Sequence, residues 1–115
     1  MPEIPFLEIT VTELAAKLTD PDRCCQLVDV REPQELAVAS IPGFINLPLS
    51  EHGQWSIDLQ QRLQPTVETI VLCHHGMRSA QMCGWLASQG FTDLYNVIGG
   101  IAAYSQIVDP SVPKY

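Results

Sequence analysis

The heptapeptide Cys73-His74-His75-Gly76-Met77-Arg78-Ser79 gathers a thiol, a glycine and a guanidinium into one short polar segment. A thiolate is a strong nucleophile once something positive or hydrogen-bonding holds it. Gly76 permits a backbone turn that exposes amides, and successive amides curled around one point form a nest for anions. Arg78 supplies a permanent, fork-shaped positive charge suited to the anionic end of a donor. Cys73 is therefore the candidate nucleophile. His74, His75, Gly76, Met77, Arg78 and Ser79 are the candidate substrate-binding residues. The chemistry these parts suit is attack of the thiolate on a sulfur atom, departure of an anion, and a cysteine left as a persulfide. That reaction requires no metal and no organic cofactor.

Such a loop needs a rigid base. Thr69-Ile70-Val71-Leu72 is the most strand-like run in the chain, and it leads directly into Cys73. Ser79 is expected to cap a helix over 80–88 that Gly90 stops. This places Cys73 at the carboxyl end of a strand, facing the positive end of the next helix. Reactive groups gather there in open α/β sheets.

The other elements follow the same alternation. Thr10 and Glu13 fit a capping box, opening a helix over about 11–18 that Asp20-Pro21-Asp22 ends. Residues 26–30 read as a buried strand and 32–36 as the start of a short helix. Ile41-Pro42-Gly43 is a turn, 44–47 a second strand, and 54–63 a helix closed by Pro65. Residues 94–97 make the last strand. Gly99-Gly100 then turns the chain into a helix over 101–107, ended by Asp109-Pro110 and Pro113. Strands alternating with helices predict an α/β domain with a mostly parallel sheet.

The bulk composition narrows the functional classes. A length of 115 residues suits one domain, 1–115, with its core at about 8–107. The formal net charge is −7 and only six residues are Lys or Arg, so no basic face for nucleic acid is expected. No apolar run approaches the length that spans a membrane. The start Met1-Pro2-Glu3-Ile4-Pro5 has neither the basic nor the apolar region of a signal peptide. The chain reads as cytoplasmic, with Cys24, Cys25, Cys73 and Cys83 as thiols.

Several residues admit two readings. Cys83 packs in the core or acts as a resolving thiol; Cys24 and Cys25 are strand-flanking residues or redox sensors. His74 and His75 are exposed loop residues or tune the thiolate. Met82, Trp85 and Leu86 lie at helical spacing and read as core.

Three segments together resemble the rhodanese family. The first is Leu27-Val28-Asp29-Val30-Arg31-Glu32-Pro33-Gln34-Glu35-Leu36, continued by Ile41-Pro42-Gly43-Phe44-Ile45-Asn46-Leu47-Pro48-Leu49. The second is Val71-Leu72-Cys73-His74-His75-Gly76-Met77-Arg78-Ser79-Ala80, and the third is Gly99-Gly100-Ile101-Ala102-Ala103-Tyr104. The resemblance implies a rhodanese-like, five-stranded mostly parallel sheet flanked by helices on both faces. It implies a sulfurtransferase that moves a sulfane sulfur from a small sulfur-containing anion such as thiosulfate to cyanide or a thiol, through a Cys73 persulfide. A protein sulfur acceptor, or a non-catalytic delivery module of the same fold, is the alternative. Cys73 matches the family's nucleophile and Arg78 the arginine that closes the loop.

Asp29 and Arg31 match the family's supporting acidic and basic pair. They form either a structural ion pair, with Glu35 as a third member, or a contact to substrate. Four residues separate Cys73 from Arg78. That loop is one residue tighter than in the related phosphatases, which favours a sulfur-centred substrate. Ser40 stands where the family commonly has His, a position expected to serve the fold.

Overall fold

The computed structural model describes residues 5–115. The N-terminal segment read above for a signal peptide lies almost wholly outside them.

Five strands form one sheet: β1 (Leu7–Ile9), β2 (Gln26–Asp29), β3 (Ile45–Asn46), β4 (Thr69–Leu72) and β5 (Leu94–Val97), in the order β1-β5-β4-β2-β3. Every pairing is parallel, so the sheet is wholly rather than mostly parallel. β4 sits in the middle, with Val71 opposite Val28 on one side and Asn96 on the other. All four of its residues are buried, which explains a continuous apolar run in place of an alternating one.

The pleat sends successive β4 side chains to opposite faces. Val71 joins Val28, Leu47, Trp55, Leu59, Leu63, Met82 and Leu86 in one core. Ile70 and Leu72 join Ile9, Leu14, Leu27, Val97 and Ile101 in the other. The first core lies under α3 (His52–Trp55), α4 (Leu59–Arg62) and α5 (Met77–Ser88); the second lies under α1 (Val11–Leu18) and α6 (Gly100–Ala103). Helices thus cover both faces, as expected. α2 (Pro33–Val38) joins β2 to β3.

α1 begins at Thr10 with both halves of the capping box in place: Glu13 N–H donates to Thr10 Oγ1 at 3.1 Å and Thr10 N–H to Glu13 Oε1 at 2.9 Å. Such a cap is worth about 1 kcal/mol.

Four details differ from the sequence expectation. The helix expected over 101–107 starts at Gly100 and continues beyond Ala103 as a π-helical stretch, Tyr104–Val108. β1 carries no sequence signal used above, because it is three residues long and two of them are exposed. The helix expected over 54–63 is two short helices joined by a 3₁₀ turn at Ser56–Asp58, although Trp55, Leu59 and Leu63 keep the i, i+4 spacing and are buried together. Ser79 does not cap α5. The N-cap is Gly76 at φ +100, so the helix starts at Met77 and carries Ser79 into the interior. Only a residue free of a Cβ takes that left-handed turn without strain, and a Cβ there would also press to 3.1 Å on Val97 O.

Candidate functional site

Cys73 follows β4, and its thiol points inward rather than to solvent. Gly76 N–H donates to Cys73 Sγ at 3.0 Å. Ser79 Oγ lies 3.2 Å from the same sulfur. The early start of α5 is what brings Ser79 there. Beyond Ser79, its hydroxyl donates to Asn96 Oδ1 at 2.5 Å, and Asn96 Nδ2 donates to Gly76 O at 3.1 Å. Asn96 on β5 therefore ties the loop's glycine and the serine into one buried network. A hydroxyl has a single proton. Given to Asn96, it leaves Ser79 a lone pair facing a thiol; rotated toward the sulfur, it serves a thiolate.

The far side of the loop is braced by α6. Ile101 N–H donates to Cys73 O at 2.9 Å and Ala102 N–H to His74 O at 3.1 Å. These are helix N-terminal donors without intrahelical partners, used here to hold loop carbonyls. Gly100, read from the sequence as a turn residue, is also a contact residue: a Cβ on it would lie 2.4 Å from both Cys73 O and His74 O.

An open pocket of about 220 Å³ is lined by Cys73, His74, His75, Met77 and Arg78. The structure thus brings the predicted loop residues together around one space, with Gly76 and Ser79 behind the sulfur. His74 stacks on His75 with ring centroids 3.9 Å apart. Burial, and then the neighbouring His75, holds the His74 imidazole below its ordinary pKa. The Arg78 guanidinium is already engaged. Its Nη1 donates to Glu35 Oε2 at 2.8 Å and its Nη2 to Glu35 Oε1 at 2.9 Å. Bonded chiefly to Arg78, the Glu35 carboxyl is pulled down to about 2, and Arg78 in turn is pushed up.

Asp29 and Arg31 lie behind this rim. Arg31 donates from Nε and Nη2 to the Asp29 carboxylate at 2.8–3.2 Å, and both side chains are at most 1% exposed. Arg31 also reaches Ala39 O at 2.9 Å and the Tyr115 hydroxyl at 2.8 Å. The ion pair read from the sequence is formed, and through Ala39 O it braces the segment after α2. Glu35 joins through its backbone oxygen, 3.5 Å from Arg31 Nη1, while its carboxylate goes to Arg78.

Sequence reasoning missed three contributors. Asn96 had a usable signal: it is an amide side chain in the short, otherwise hydrophobic run Leu94-Tyr95-Asn96-Val97. Tyr115 and the Arg78 partnership of Glu35 had none, since 80 and 43 residues separate the partners. Cys83 is buried in the core, and burial pushes its thiol up to about 12, with Cys73 adding to the effect. Among the described residues, no group of three His, Cys, Asp or Glu side chains has metal-holding geometry, and no helix is long and apolar enough to cross a membrane.

Residues 10–107 match the family described as the rhodanese-like domain. The chain belongs to that family. A rhodanese-like domain protein of Staphylococcus aureus has the same fold, with a TM-score of 0.74 and 30% identity over 86% of this chain and 91% of that one. A protein of Allochromatium vinosum named sulfurtransferase is 33% identical over 100 residues, covering 86% of this chain and 88% of the relative. The Arabidopsis thaliana rhodanese-like/PpiC domain-containing protein 12, named chloroplastic, is 50% identical over 114 residues. Those residues are 96% of this chain but 38% of the relative, so the chain spans well under half of that protein's length. Membership in this family, with relatives named sulfurtransferases, supports sulfur transfer as the general activity.

Proposed function

We propose that this domain carries sulfane sulfur on Cys73 as a persulfide, taking it from a donor such as thiosulfate and passing it to cyanide or a thiol. The observation that carries the reading is the Cys73 sulfur at the end of β4, held 3.0 Å from Gly76 N in a residue that lines one pocket with His74, His75, Met77 and Arg78. In the first step the thiolate attacks the outer sulfur of thiosulfate. A Cys73 S–S bond forms, the donor's S–S bond breaks, and sulfite leaves with the bonding electron pair. In the second step cyanide attacks that outer sulfur, thiocyanate leaves, and the Cys73 thiolate returns. A thiol acceptor leaves instead as its own persulfide. Charge balances in both steps, and no oxidant enters.

The Gly76 amide, the Ser79 hydroxyl and the α5 N-terminus all favour negative charge at this point, on either thiolate or persulfide. Arg78 meets the donor's anionic end. Asp29 and Arg31 hold the neighbouring backbone, and residues 8–107 act as the catalytic unit. The cycle needs a compartment that keeps Cys73 reduced, and the cytoplasm meets that need.

Intact-protein mass spectrometry tests the reading. After incubation with thiosulfate and removal of the donor, the protein gains about 32 Da, the mass of one sulfur atom, as a covalent intermediate requires. Cyanide removes the added mass, and Cys73→Ala never acquires it. An unmodified, freshly reduced wild type across a panel of sulfur donors would overturn the proposal.

A second reading, delivery to a protein acceptor, has its own support. Met77 is 77% exposed at the pocket and Ile98 46% exposed beside Gly76. Exposed apolar side chains around a reactive group suit a protein surface. Transfer of labelled sulfur to a protein thiol, with feeble turnover on cyanide, would favour it.

A further inference from the structure

The pocket's charge balance carries an inference about donor class that rests on the sulfur-transfer reading. Among the five residues lining the pocket, Arg78 is the permanent cation. Both of its terminal nitrogens are committed to Glu35. With Cys73 as thiolate, the local set Cys73, Arg78 and Glu35 sums to one negative charge before a donor arrives. Arg31 does not alter that sum, because Asp29 matches it at 2.8 Å. The Glu32 carboxylate is turned away, toward the Ser50 hydroxyl.

The glutamate is held in this arrangement from several directions. Glu32 N–H donates to Glu35 Oε2 at 2.9 Å. The Tyr115 hydroxyl donates to Glu35 Oε1 at 2.9 Å while accepting from Arg31 Nη1 at 2.8 Å. The Tyr115 ring lies flat on His74, with centroids 4.0 Å apart and planes 6° from parallel. The tail reaches this point from a firm anchor. Val112 is buried in the second core, and its carbonyl accepts from Ser105 Oγ at 2.5 Å. Between that anchor and Tyr115 the tail borders an open space of about 230 Å³, lined also by His74, Ile101, Ala102 and Gln106. Tyr115 is therefore kept in place by its ring stack and two hydrogen bonds rather than by burial in a core.

We propose that Glu35, positioned by Tyr115, offsets the charge of Arg78 and makes the Cys73 pocket select singly charged over doubly charged sulfur donors. Arg78 still offers its N–H groups to the donor's oxygens. What Glu35 removes is the net attraction for a second negative charge. Glu35 is a specificity-determining residue in this scheme, and Tyr115 is a positioning residue that acts through it.

The test compares two donors of similar shape. Thiosulfate carries two negative charges; methanethiosulfonate has a methyl group in place of one oxygen and carries a single charge. Each gives its terminal sulfur to the Cys73 thiolate, releasing sulfite or methanesulfinate with the bonding electron pair. Their leaving groups differ in reactivity, so the informative quantity is the change in the ratio of kcat/KM values between variants. Glu35→Gln keeps the shape and removes the charge. It should raise the thiosulfate-to-methanethiosulfonate ratio roughly five- to tenfold at low salt, and less at high salt. Tyr115→Phe keeps the ring stack and removes both hydrogen bonds, and should shift the ratio about twofold in the same direction.

A merely structural role would lower both donors together and leave the ratio unmoved, which would overturn the proposal, as would a ratio that falls in Glu35→Gln. If the wild type accepts sulfur from neither donor, the sulfur-transfer reading fails and this proposal fails with it. Turnover with an unchanged ratio removes this proposal alone.

Discussion

Two carboxylate–guanidinium pairs meet at the Tyr115 hydroxyl, and they have opposite characters. Asp29–Arg31 is sealed, with side chains 1% and 0% exposed. Glu35–Arg78 is open, with side chains 20% and 36% exposed. The sealed pair spends its hydrogen bonds on the backbone that follows β2 and α2. The open pair faces the Cys73 pocket. Burial makes the first a structural clamp, because losing one partner leaves a charge with nowhere to go. Solvent access makes the second adjustable, since water can replace either partner at little cost.

The largest expected effect follows from breaking the sealed pair. Asp29→Ala should lose about 3–5 kcal/mol of stability in urea or guanidinium unfolding, because Arg31 would remain buried and unpaired. A loss near that for the open pair would erase the distinction. Replacing both partners at once, Asp29→Leu with Arg31→Met, should recover about half of that loss, since no buried charge remains. Full recovery is not expected, because Arg31 also holds Ala39 O and Tyr115.

The open pair should show a smaller effect. In a double-mutant cycle of Glu35→Gln and Arg78→Met, the coupling energy should be about 0.2–1 kcal/mol, the range of exposed pairs. A coupling above about 2 kcal/mol would class it with the sealed pair.

A pH titration separates the two as well. The Glu35 carboxyl lies at about 2, below its ordinary value near 4.5, chiefly through its hydrogen bonds from Arg78. A depressed carboxyl contributes stability that is present above the unfolded value and lost as pH falls through the folded one. The Glu35 contribution should therefore fade between about pH 4.5 and 2 and be absent in Glu35→Gln. Carboxyl chemical shifts followed by NMR would place the midpoint; a midpoint near 4.5 would show the pair to be loose in solution. The smallest effect is that of salt. Raising ionic strength toward 1 M shortens the screening length to about 3 Å. This should erode the Glu35–Arg78 coupling and leave the cost of Asp29→Ala unchanged.

These pairs also mark where sequence reading stopped. Asp29 and Arg31 are two residues apart, and their pairing is legible locally. The sequence groups Glu35 with them, but its carboxylate belongs to Arg78, 43 residues away. By its place before a helical run, Ser79 has the sequence signature of a cap. The glycine three residues earlier took that role through its positive φ, and the serine turned inward to the sulfur. β1 escaped notice as a short, half-exposed edge strand, whereas β4 was legible as an unbroken apolar run.

The sequence by itself determined the α/β alternation, the apolar strand that leads into Cys73, and the placement of Cys73 between that strand and a helix. Each rests on short-range rules: periodicity, turn residues and the polarity of a helix N-terminus. Tertiary structure alone decided that Asn96 and Ser79 stand behind the sulfur, that Gly100 must lack a Cβ beside the Cys73 carbonyl, and that Glu35 pairs with Arg78 while accepting a hydrogen bond from Tyr115. Apart from Ser79 against Cys73, those contacts join residues far apart in the chain. They exist because the parallel sheet brings the carboxyl ends of its strands to one edge, an arrangement that no local pattern encodes.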